Sequence, residues 1–343
     1  MKPDNGFTKL VVLASRFGLN FSGGSSATCE IVSRLRGEFH EVIVVAQEVG
    51  KHNVGDIKVE IFSSLLQAEK IIRKLNVGKP LFYGDFYDSI VFVNAGVPFV
   101  FSYHDNWPEQ RFLNVRSQAL YDYYWKIYKK IFIAARVVFS VSKYKKNIIK
   151  QYNKHTILLR NGTSLSSRKK TLESTFNKNT SLRVLMIGNI DERKYYKSIQ
   201  VFNILSQQEE NIYQIDIYGN TISSRIANKL NSFKFVSVKG FSDRIDFSKY
   251  DLFLCTSYIE NLPISIVESL KHHLPVISFD VGGVSEVVNS KNGVLVPPFD
   301  YNYMCTQIKL VDEGIKKFSF MNQDLSSFDW DFTASHLLMS VQI

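Results

Sequence analysis

The stretch DLFLCTSYIENLPISIVESLKHHLPVISFDVGGVSEVVNSKNGVLVPP (251–298) decides the fold. It contains three short apolar runs, and a segment with helical spacing separates the first run from the second. Polar or Gly-rich residues follow each run, as is typical of strands that end at loops. Strands and helices that alternate in this way predict a parallel sheet with helices on both of its faces.

The same alternation extends outward over the whole chain of 343 residues. The predicted strands are 9–14, 41–47, 58–62, 80–85, 99–104, 136–142 and 156–162 in the first half, and 182–188, 213–219, 233–240, 251–257, 275–280 and 293–298 in the second. A segment rich in Ser, Thr, Asn and Lys (163–181) separates the halves and predicts a linker. We therefore predict an α/β protein with two Rossmann-like, doubly wound domains that bind ligands at the carboxyl ends of their strands.

The composition limits the class of protein. Hydrophobic residues make up 45% of the chain and charged residues 22%, which is typical of a soluble globular protein and excludes disordered and fibrous classes. No apolar run reaches the roughly 18 residues that a membrane-spanning helix needs, and no apolar leader follows the first charged residues. The three scattered cysteines suggest neither a disulfide framework nor a zinc site: Cys29, Cys255 and Cys305. These features predict a cytoplasmic protein.

The net charge of +10 is unevenly distributed. Between Tyr123 and Leu172 the chain has 13 basic residues and no acidic one. Such a block indicates a polyanionic partner, which could be nucleic acid, an anionic membrane or a phosphorylated substrate, and a solubilising surface is the alternative. Aromatic residues beside lysines in YDYYWKIYKKIF (121–132) favour an anionic membrane surface, bound through the basic region 126–154, and no nucleic-acid partner.

Two glutamates follow the strand 251–257, with a proline between them: Glu260, Pro263 and Glu268. A proline suits the first turn of a helix, whose free N–H groups can bind a phosphate. Two carboxylates beside an anion site could accept hydrogen bonds from the hydroxyls of a ribose or a hexose. The alternative is that Glu260 is an ordinary surface glutamate and Glu268 an ordinary helix glutamate.

These residues and the segment LKHHLPVISFDVGGVSEVVNSKNGVLVPP (270–298) resemble the retaining glycosyltransferases of family 4, which have the GT-B fold. The family pattern is E-x7-E, an L-P-V-I strand, a G-G-x-x-E turn and an N-G-x-L-V strand. The resemblance covers nearly the full length, because further family features recur at Gly23–Gly24, His104, Ser142 and Asn161–Gly162.

The resemblance implies a domain organisation in which two domains face a cleft. Residues 1–170 would form the acceptor-binding domain and residues 171–325 the nucleotide-sugar-binding domain. Residues 326–343 would form a helix that packs back on the N-terminal domain.

The resemblance also implies a role for each matching residue. Glu268 would bind the ribose hydroxyls of the nucleotide, and Glu260 would hold hydroxyls of the donor sugar. His104 would lie by the exocyclic oxygen of that sugar. The remaining donor contacts would come from two short backbone segments: Gly23 and Gly24, and Asn261, Leu262, Ile264 and Ser265.

The sequence departs from the family at the diphosphate. The family shows G-R-x-x-x-x-K-G after the first strand of the second domain, whereas Asn189 follows Gly188 and Tyr195 follows Lys194 here. A leaving diphosphate needs cationic neutralisation as its bond breaks. We therefore predict Lys194 as a catalytic residue together with Glu260 and His104, and Arg193 as the candidate substitute for the missing arginine. The alternative is that Arg193 is a solvated loop residue.

No metal site and no cofactor are predicted. The only D-x-D sequence, Asp329-Trp330-Asp331, follows no predicted strand and precedes an amphipathic helix, so we interpret it as structural. The pair of aspartates in DFYD (85–88) is spaced differently and receives no metal role.

The residues and the resemblance together predict a retaining glycosyltransferase that lies peripherally on the inner face of the cell membrane. It would transfer a hexose or N-acetylhexosamine from a nucleoside-diphosphate sugar, with UDP favoured over GDP. The acceptor would be a hydroxyl of a cell-surface polysaccharide, a lipid-linked glycan or a glycoconjugate. One alternative is a sugar-nucleotide epimerase of similar two-domain build. The other is an inactive protein that binds anionic membranes or nucleic acid.

Overall fold

The structure is a computed structural model that describes residues 6–163, 181–207, 213–320 and 323–342. The chain divides into two compact units. The first comprises Met1–Ser164 together with Ser326–Ile343, and the second comprises Leu165–Leu325. The linker predicted at 163–181 lies outside the described residues, apart from the residue at each of its ends.

The first unit contains a seven-stranded parallel sheet with the strand order β3-β2-β1-β4-β5-β6-β7. Its strands are β1 (Lys9–Phe17), β2 (Glu41–Val49), β3 (Lys58–Ile61), β4 (Pro80–Gly84), β5 (Phe99–Tyr103), β6 (Val137–Ser140) and β7 (Thr156–Leu158). The helices between them are α1 (Gly23–Leu35), α2 (Leu65–Leu75), α3 (Ile90–Ala95), α4 (Val115–Ala134) and α5 (Lys143–Ile149). The central strands are buried on both faces, which explains why they appear in the sequence as continuous apolar runs.

The second unit contains a six-stranded parallel sheet with the strand order β10-β9-β8-β11-β12-β13. Its strands are β8 (Leu182–Ile187), β9 (Tyr213–Tyr218), β10 (Val236–Gly240), β11 (Leu252–Cys255), β12 (Val276–Phe279) and β13 (Gly293–Val296). Its helices are α6 (Glu192–Leu205), α7 (Ser224–Asn231), α8 (Ile264–Lys271) and α9 (Tyr301–Asp312). Each of the thirteen predicted strands overlaps an observed one, so the predicted α/β fold with two doubly wound sheets is confirmed.

The D-x-D sequence marks the start of the last helix, α10 (Trp330–Val341), which packs against α1 in the first unit. The Asp329 carboxylate accepts hydrogen bonds from the backbone N–H groups of Asp331 (2.9 Å) and Phe332 (3.0 Å), and it therefore caps the helix. The Asp331 carboxylate accepts a hydrogen bond from Nε of Arg34 at 2.6 Å. Both aspartates thus have structural partners.

The basic region 126–154 is less uniform than its sequence indicated. The Lys145 side chain is completely buried, and its Nζ pairs with the Glu109 carboxylate and donates a hydrogen bond to the carbonyl oxygen of Trp107 at 2.8 Å. The absence of acidic residues between Tyr123 and Leu172 concealed this ion pair, because Glu109 lies upstream of the counted block. Lys145 is therefore excluded from any surface that this region presents.

Most aromatic residues of α4 pack inward, which corrects the expectation that they form an interfacial face. Trp125, Tyr128 and Phe132 lie in the core of the first unit, where Tyr128 contacts Phe101 and Phe132 contacts Tyr103. Helical periodicity places every third or fourth side chain against the sheet, and aromatic residues gain the most from that burial.

Four of the exposed residues of α4 follow one another at spacings of three, four and three: Tyr123, Lys126, Lys130 and Ile133. The exposed Asp122 lies beside them. Tyr123 is 54% exposed and Ile133 is 66% exposed, so an apolar group flanks the two lysines at each end. None of the helices in the described ranges is long and apolar enough to cross a membrane.

Candidate active site

The first group of predicted site residues lies where β8 ends and α6 begins. The Asp191 carboxylate accepts a hydrogen bond from the backbone N–H of Lys194 at 2.8 Å and caps α6. This cap places Arg193 and Lys194 in the first turn of the helix, at the carboxyl end of β8. Ligands of doubly wound sheets bind at this edge.

The Lys194 side chain crosses the end of β8 at Gly188. Gly188 has a φ of +150°, and a Cβ atom at this position would lie 2.9 Å from Cε of Lys194. The glycine therefore supplies both the backbone conformation and the space that the lysine needs. Nζ of Lys194 lies 2.6 Å from Oε1 of Glu260.

Glu260 lies in the loop after β11, as predicted, and its side chain is buried between two cations. Oε1 accepts hydrogen bonds from Nζ of Lys194 at 2.6 Å and from Nη1 of Arg193 at 3.0 Å. Burial opposes ionisation of the carboxyl group, but Lys194 and Arg193 outweigh it and lower the pKa of Glu260 to about 2. The carboxylate is therefore ionised and retains its acceptor capacity throughout the physiological pH range.

The G-G-x-x-E turn packs against the backbone of the Glu260 loop. Gly282 has a φ of +60°, and a Cβ atom there would lie 1.6 Å from the Glu260 carbonyl oxygen. The next residue, Gly283, donates its backbone N–H to the carbonyl oxygen of Asn261 at 2.9 Å. The turn belongs to the family pattern quoted above, and a Gly-Gly pair after a buried strand signals such a close backbone approach.

Helix α8 begins one residue later than the sequence indicated. Pro263, expected in the first turn, is the residue before the helix and has an extended conformation with φ −74° and ψ 123°. The predicted backbone contacts occupy the loop and the first turn in sequence: Asn261 and Leu262 are buried, and Ile264 and Ser265 are half-buried. The helix thus presents its first N–H groups at the same sheet edge as Lys194.

Glu268 lies within α8, as predicted, and its surroundings differ from those of Glu260. Its side chain is half-buried, and burial raises the pKa of Glu268 to about 7, with Lys271 acting in the opposite direction. The structure joins Glu260 directly to Arg193 and Lys194, whereas no ion pair with Glu268 occurs in the described part of the chain.

In the first unit, the structure brings Gly24 and His104 together. Gly23 and Gly24 form the first turn of α1 rather than the loop that precedes it, because Ser22 caps the helix. A Cβ atom on Gly24 would lie 3.1 Å from Cβ of His104 and 2.7 Å from the Phe86 ring. Gly24 therefore allows the first turn of α1 to approach His104 at the carboxyl end of β5.

His104 follows β5 directly. Both of its ring nitrogens are buried, and neither has a hydrogen-bond partner among the residues that the structure describes. Burial lowers the pKa of His104 to about 4, so the imidazole is neutral near pH 7. A neutral imidazole can act as either donor or acceptor toward a hydroxyl group.

Two buried carboxyl groups near the end of β4 were not predicted as site residues. Thr28 donates a hydrogen bond to Asp85 at 2.5 Å, and Ser15 donates one to Asp88 at 2.9 Å. Burial raises the pKa of Asp88 to about 6 and raises that of Asp85 well above its usual range. Within the described ranges, no group of three or more His, Cys, Asp or Glu side chains could hold a metal ion.

Comparisons with known proteins assign a class to this fold and site. Residues 167–313 match the family model described as "Glycosyl transferases group 1". The sucrose-phosphate synthase of Thermosynechococcus elongatus is similar in structure (TM-score 0.74, 16% identity, 98% of each chain covered). So is HepE of Anabaena in complex with UDP-glucose (TM-score 0.73, 16% identity, 97% of this chain and 99% of that chain covered). The lipopolysaccharide outer core galactosyltransferase WaaB is similar over 98% of this chain and 100% of its own (TM-score 0.68, 12% identity). No curated protein sequence matches the chain.

The protein therefore has the GT-B fold, and it is an enzyme of the glycosyltransferase class. The matched region contains Arg193, Lys194, Glu260 and Glu268, so the second-unit part of the candidate site lies within the residues that match the family model.

The packing of Gly282 on the Glu260 backbone leads to a prediction. We expect Gly282→Ala to lower the turnover of a nucleotide-sugar donor by about 100-fold, because an added Cβ displaces Glu260 and misplacement by about 1 Å costs a factor of that order. Gly314→Ala is the matched control, since Gly314 also has a positive φ (+68°) but has nothing within 4 Å of an added Cβ. Both variants incur a backbone strain of roughly 1–2 kcal/mol. Equal turnover in both would show that the turn does not hold Glu260.

Proposed function

We propose that the protein is a retaining glycosyltransferase of family 4 whose second unit binds a nucleoside-diphosphate sugar. The observation that supports this most strongly is the buried ion cluster of Arg193, Lys194 and Glu260 beside the first turn of α8. It combines a carboxylate that accepts sugar hydroxyls with a cation and helix N–H groups that suit a diphosphate.

In this proposal the donor occupies the carboxyl edge of the second sheet. Glu268 binds the ribose hydroxyls, Glu260 binds hydroxyls of the sugar, and the backbone from Asn261 to Ser265 contacts the sugar and the diphosphate. UDP is favoured over GDP as the carrier, because the similar structure of Anabaena HepE contains UDP-glucose. The transferred group is a hexose or N-acetylhexosamine.

The proposed reaction keeps the configuration at the anomeric carbon. The acceptor oxygen forms its bond to that carbon on the face from which the bond to the phosphate oxygen breaks, and the leaving phosphate takes the acceptor proton. Lys194 and the N–H groups of α8 neutralise the charge that develops on the diphosphate, which is the largest electrostatic requirement of such a transfer. Fixed cations and backbone dipoles can meet this requirement without a metal ion.

We further propose that the first unit binds the acceptor. The buried, neutral imidazole of His104 can donate a hydrogen bond to, or accept one from, a hydroxyl group at the edge of the first sheet. Asp85 and Asp88 lie near the end of the neighbouring strand β4. Because carboxyl groups form hydrogen bonds with hydroxyl groups, a hydroxyl-rich acceptor substrate suits this edge of the sheet.

The acceptor that we propose is a lipid-linked or cell-surface glycan at the inner face of the cell membrane. Four exposed residues of α4, Tyr123, Lys126, Lys130 and Ile133, combine two cations with two apolar side chains beside the exposed Asp122. Cations next to apolar side chains are typical of elements that bind anionic membrane surfaces. One similar structure, WaaB, is a lipopolysaccharide galactosyltransferase, and lipopolysaccharide is a glycan of this kind.

The raised pKa of Glu268 predicts a pH-dependent affinity for the donor. The ionised carboxylate is the stronger acceptor for ribose hydroxyls, and its fraction increases through the pKa of about 7. We expect the Kd for UDP-glucose, whose diphosphate diester does not titrate near neutrality, to fall about tenfold between pH 6 and pH 8. Glu268→Gln should bind more weakly and show no such dependence in calorimetry. Glu313→Gln, an exposed control, should behave as the wild type. If the Kd of Glu268→Gln depends on pH in the same way as that of the wild type, Glu268 is not part of the donor site.

The reaction class is tested by metal dependence and stereochemistry. We expect transfer from a UDP- or GDP-sugar to continue in excess EDTA, because Lys194 and the start of α8 neutralise the diphosphate. NMR coupling constants should show that the product keeps the anomeric configuration of the donor. Activity that is lost in EDTA and restored by manganese would contradict the metal-free site, and an inverted product would contradict the family 4 assignment. An epimerase would interconvert sugars, and an inactive binding protein would not turn over the donor.

The corrected basic surface leads to a membrane-binding prediction. The substituted residues are exposed lysines on α4 and around α5, each changed to glutamate: Lys126, Lys130, Lys143 and Lys150. We expect this variant to release anionic liposomes and to keep turnover on a soluble acceptor. Binding by the wild type should decrease with salt, because charges in solution are screened over about 8–10 Å.

A matched control changes four exposed lysines of the second unit to glutamate: Lys229, Lys234, Lys249 and Lys291. It carries the same change in net charge and should still bind the liposomes. Equal release in both variants would show that only the net charge matters, and that region 126–154 is a solubilising surface.

A further inference from the structure

Arg193 bonds to three consecutive residues of the loop that holds Glu260. Its carbonyl oxygen accepts the backbone N–H of Tyr258 at 2.8 Å. Its Nη1 donates to the carbonyl oxygen of Ile259 at 3.0 Å and to Oε1 of Glu260 at 3.0 Å. A single residue in the first turn of α6 thus fixes the path of the loop and the direction of the carboxylate at its end.

The hydrogen-bonding capacity of Nη1 is fully used in this arrangement. The nitrogen carries two N–H bonds, and Ile259 and Glu260 each accept one of them. The fork geometry of a guanidinium group suits two acceptors at fixed positions, whereas an ammonium group acts as a point charge. Nη1 of Arg193 therefore has no N–H left for a phosphate, and it holds the guanidinium at the side of Glu260.

Lys194 differs from Arg193 in the way its side chain reaches Glu260. Its stem crosses the end of β8 at Gly188, and the contact of its Nζ with Glu260 Oε1 at 2.6 Å is the only ion pair that it makes within the described residues. The ammonium group can turn toward a phosphate without releasing a backbone carbonyl. If Nη1 of Arg193 turned toward a phosphate, the carbonyl of the buried Ile259 would lose its guanidinium donor.

We propose that Arg193 is a positioning residue that orients Glu260 toward the donor sugar, and that it does not replace the missing family arginine as a diphosphate clamp. This inference rests on the proposed function. It divides the two adjacent cations by role: Lys194 contacts the leaving diphosphate, and Arg193 acts through Glu260.

The test compares Arg193→Met with Lys194→Met, and Arg225→Met, an exposed arginine of α7, is the control. In Arg193→Met we expect kcat for the donor to fall by about 100-fold while the Kd for UDP stays within about threefold of the wild type, because orientation is lost and phosphate contact is kept. In Lys194→Met the Kd for UDP should rise by about tenfold or more. Arg193→Lys retains the charge but not the fork, and its kcat should lie between those of the wild type and Arg193→Met. If Arg193→Met is insoluble, Arg193→Lys provides the test, with a lowered kcat at unchanged Kd.

The opposite pattern of kcat and Kd in Arg193→Met would overturn the inference. A Kd for UDP that rises by tenfold or more in Arg193→Met, with kcat nearly unchanged, would make Arg193 part of the diphosphate clamp. A crystal structure of Arg193→Met without nucleotide provides a readout that does not depend on activity. Displacement of the Glu260 carboxylate supports the positioning role, and an unmoved carboxylate contradicts it. Failure of the wild type to bind or turn over any nucleotide sugar would contradict the proposed function instead.

Discussion

The ion pair between Lys194 and Glu260 is the interaction on which the candidate site depends. A buried carboxylate is costly unless cations and hydrogen bonds compensate for its lost hydration, and here Lys194 and Arg193 supply that compensation. The Glu260 carboxylate is therefore ionised and held at a fixed position at the edge of the sheet, where it can accept hydrogen bonds. Removing either partner of such a pair leaves a buried charge and typically costs about 3–5 kcal/mol.

Backbone features on both sides make this ion pair possible. The cap at Asp191 starts α6 so that Lys194 falls in its first turn, and Gly188 leaves room for the lysine stem. On the other side, the turn at Gly282 contacts the carbonyl of Glu260 more closely than any other residue type would permit. In the proposed reaction, these backbone features hold Lys194 and Glu260 in place before the donor binds, which reduces the entropic cost of ordering the two side chains.

Much of this organisation could be predicted from the sequence, because the responsible signals are local. Short apolar runs identified every strand of both sheets, and the position of Glu260 after one strand and of Glu268 within a helix followed from the same pattern. Features that depend on residues distant in the chain could not be predicted. The buried pair of Lys145 with Glu109 reversed the interpretation of one lysine, and the inward packing of Trp125 depends on which face of α4 meets the sheet.

A crystal structure with a bound, intact nucleotide sugar would show whether the Lys194–Glu260 pair forms the donor site. We expect hydroxyls of the sugar to contact Glu260, the diphosphate to lie between Lys194 and the first turn of α8, and the ribose to contact Glu268. A nucleotide sugar bound away from these residues, with the Lys194–Glu260 pair unchanged, would contradict this expectation.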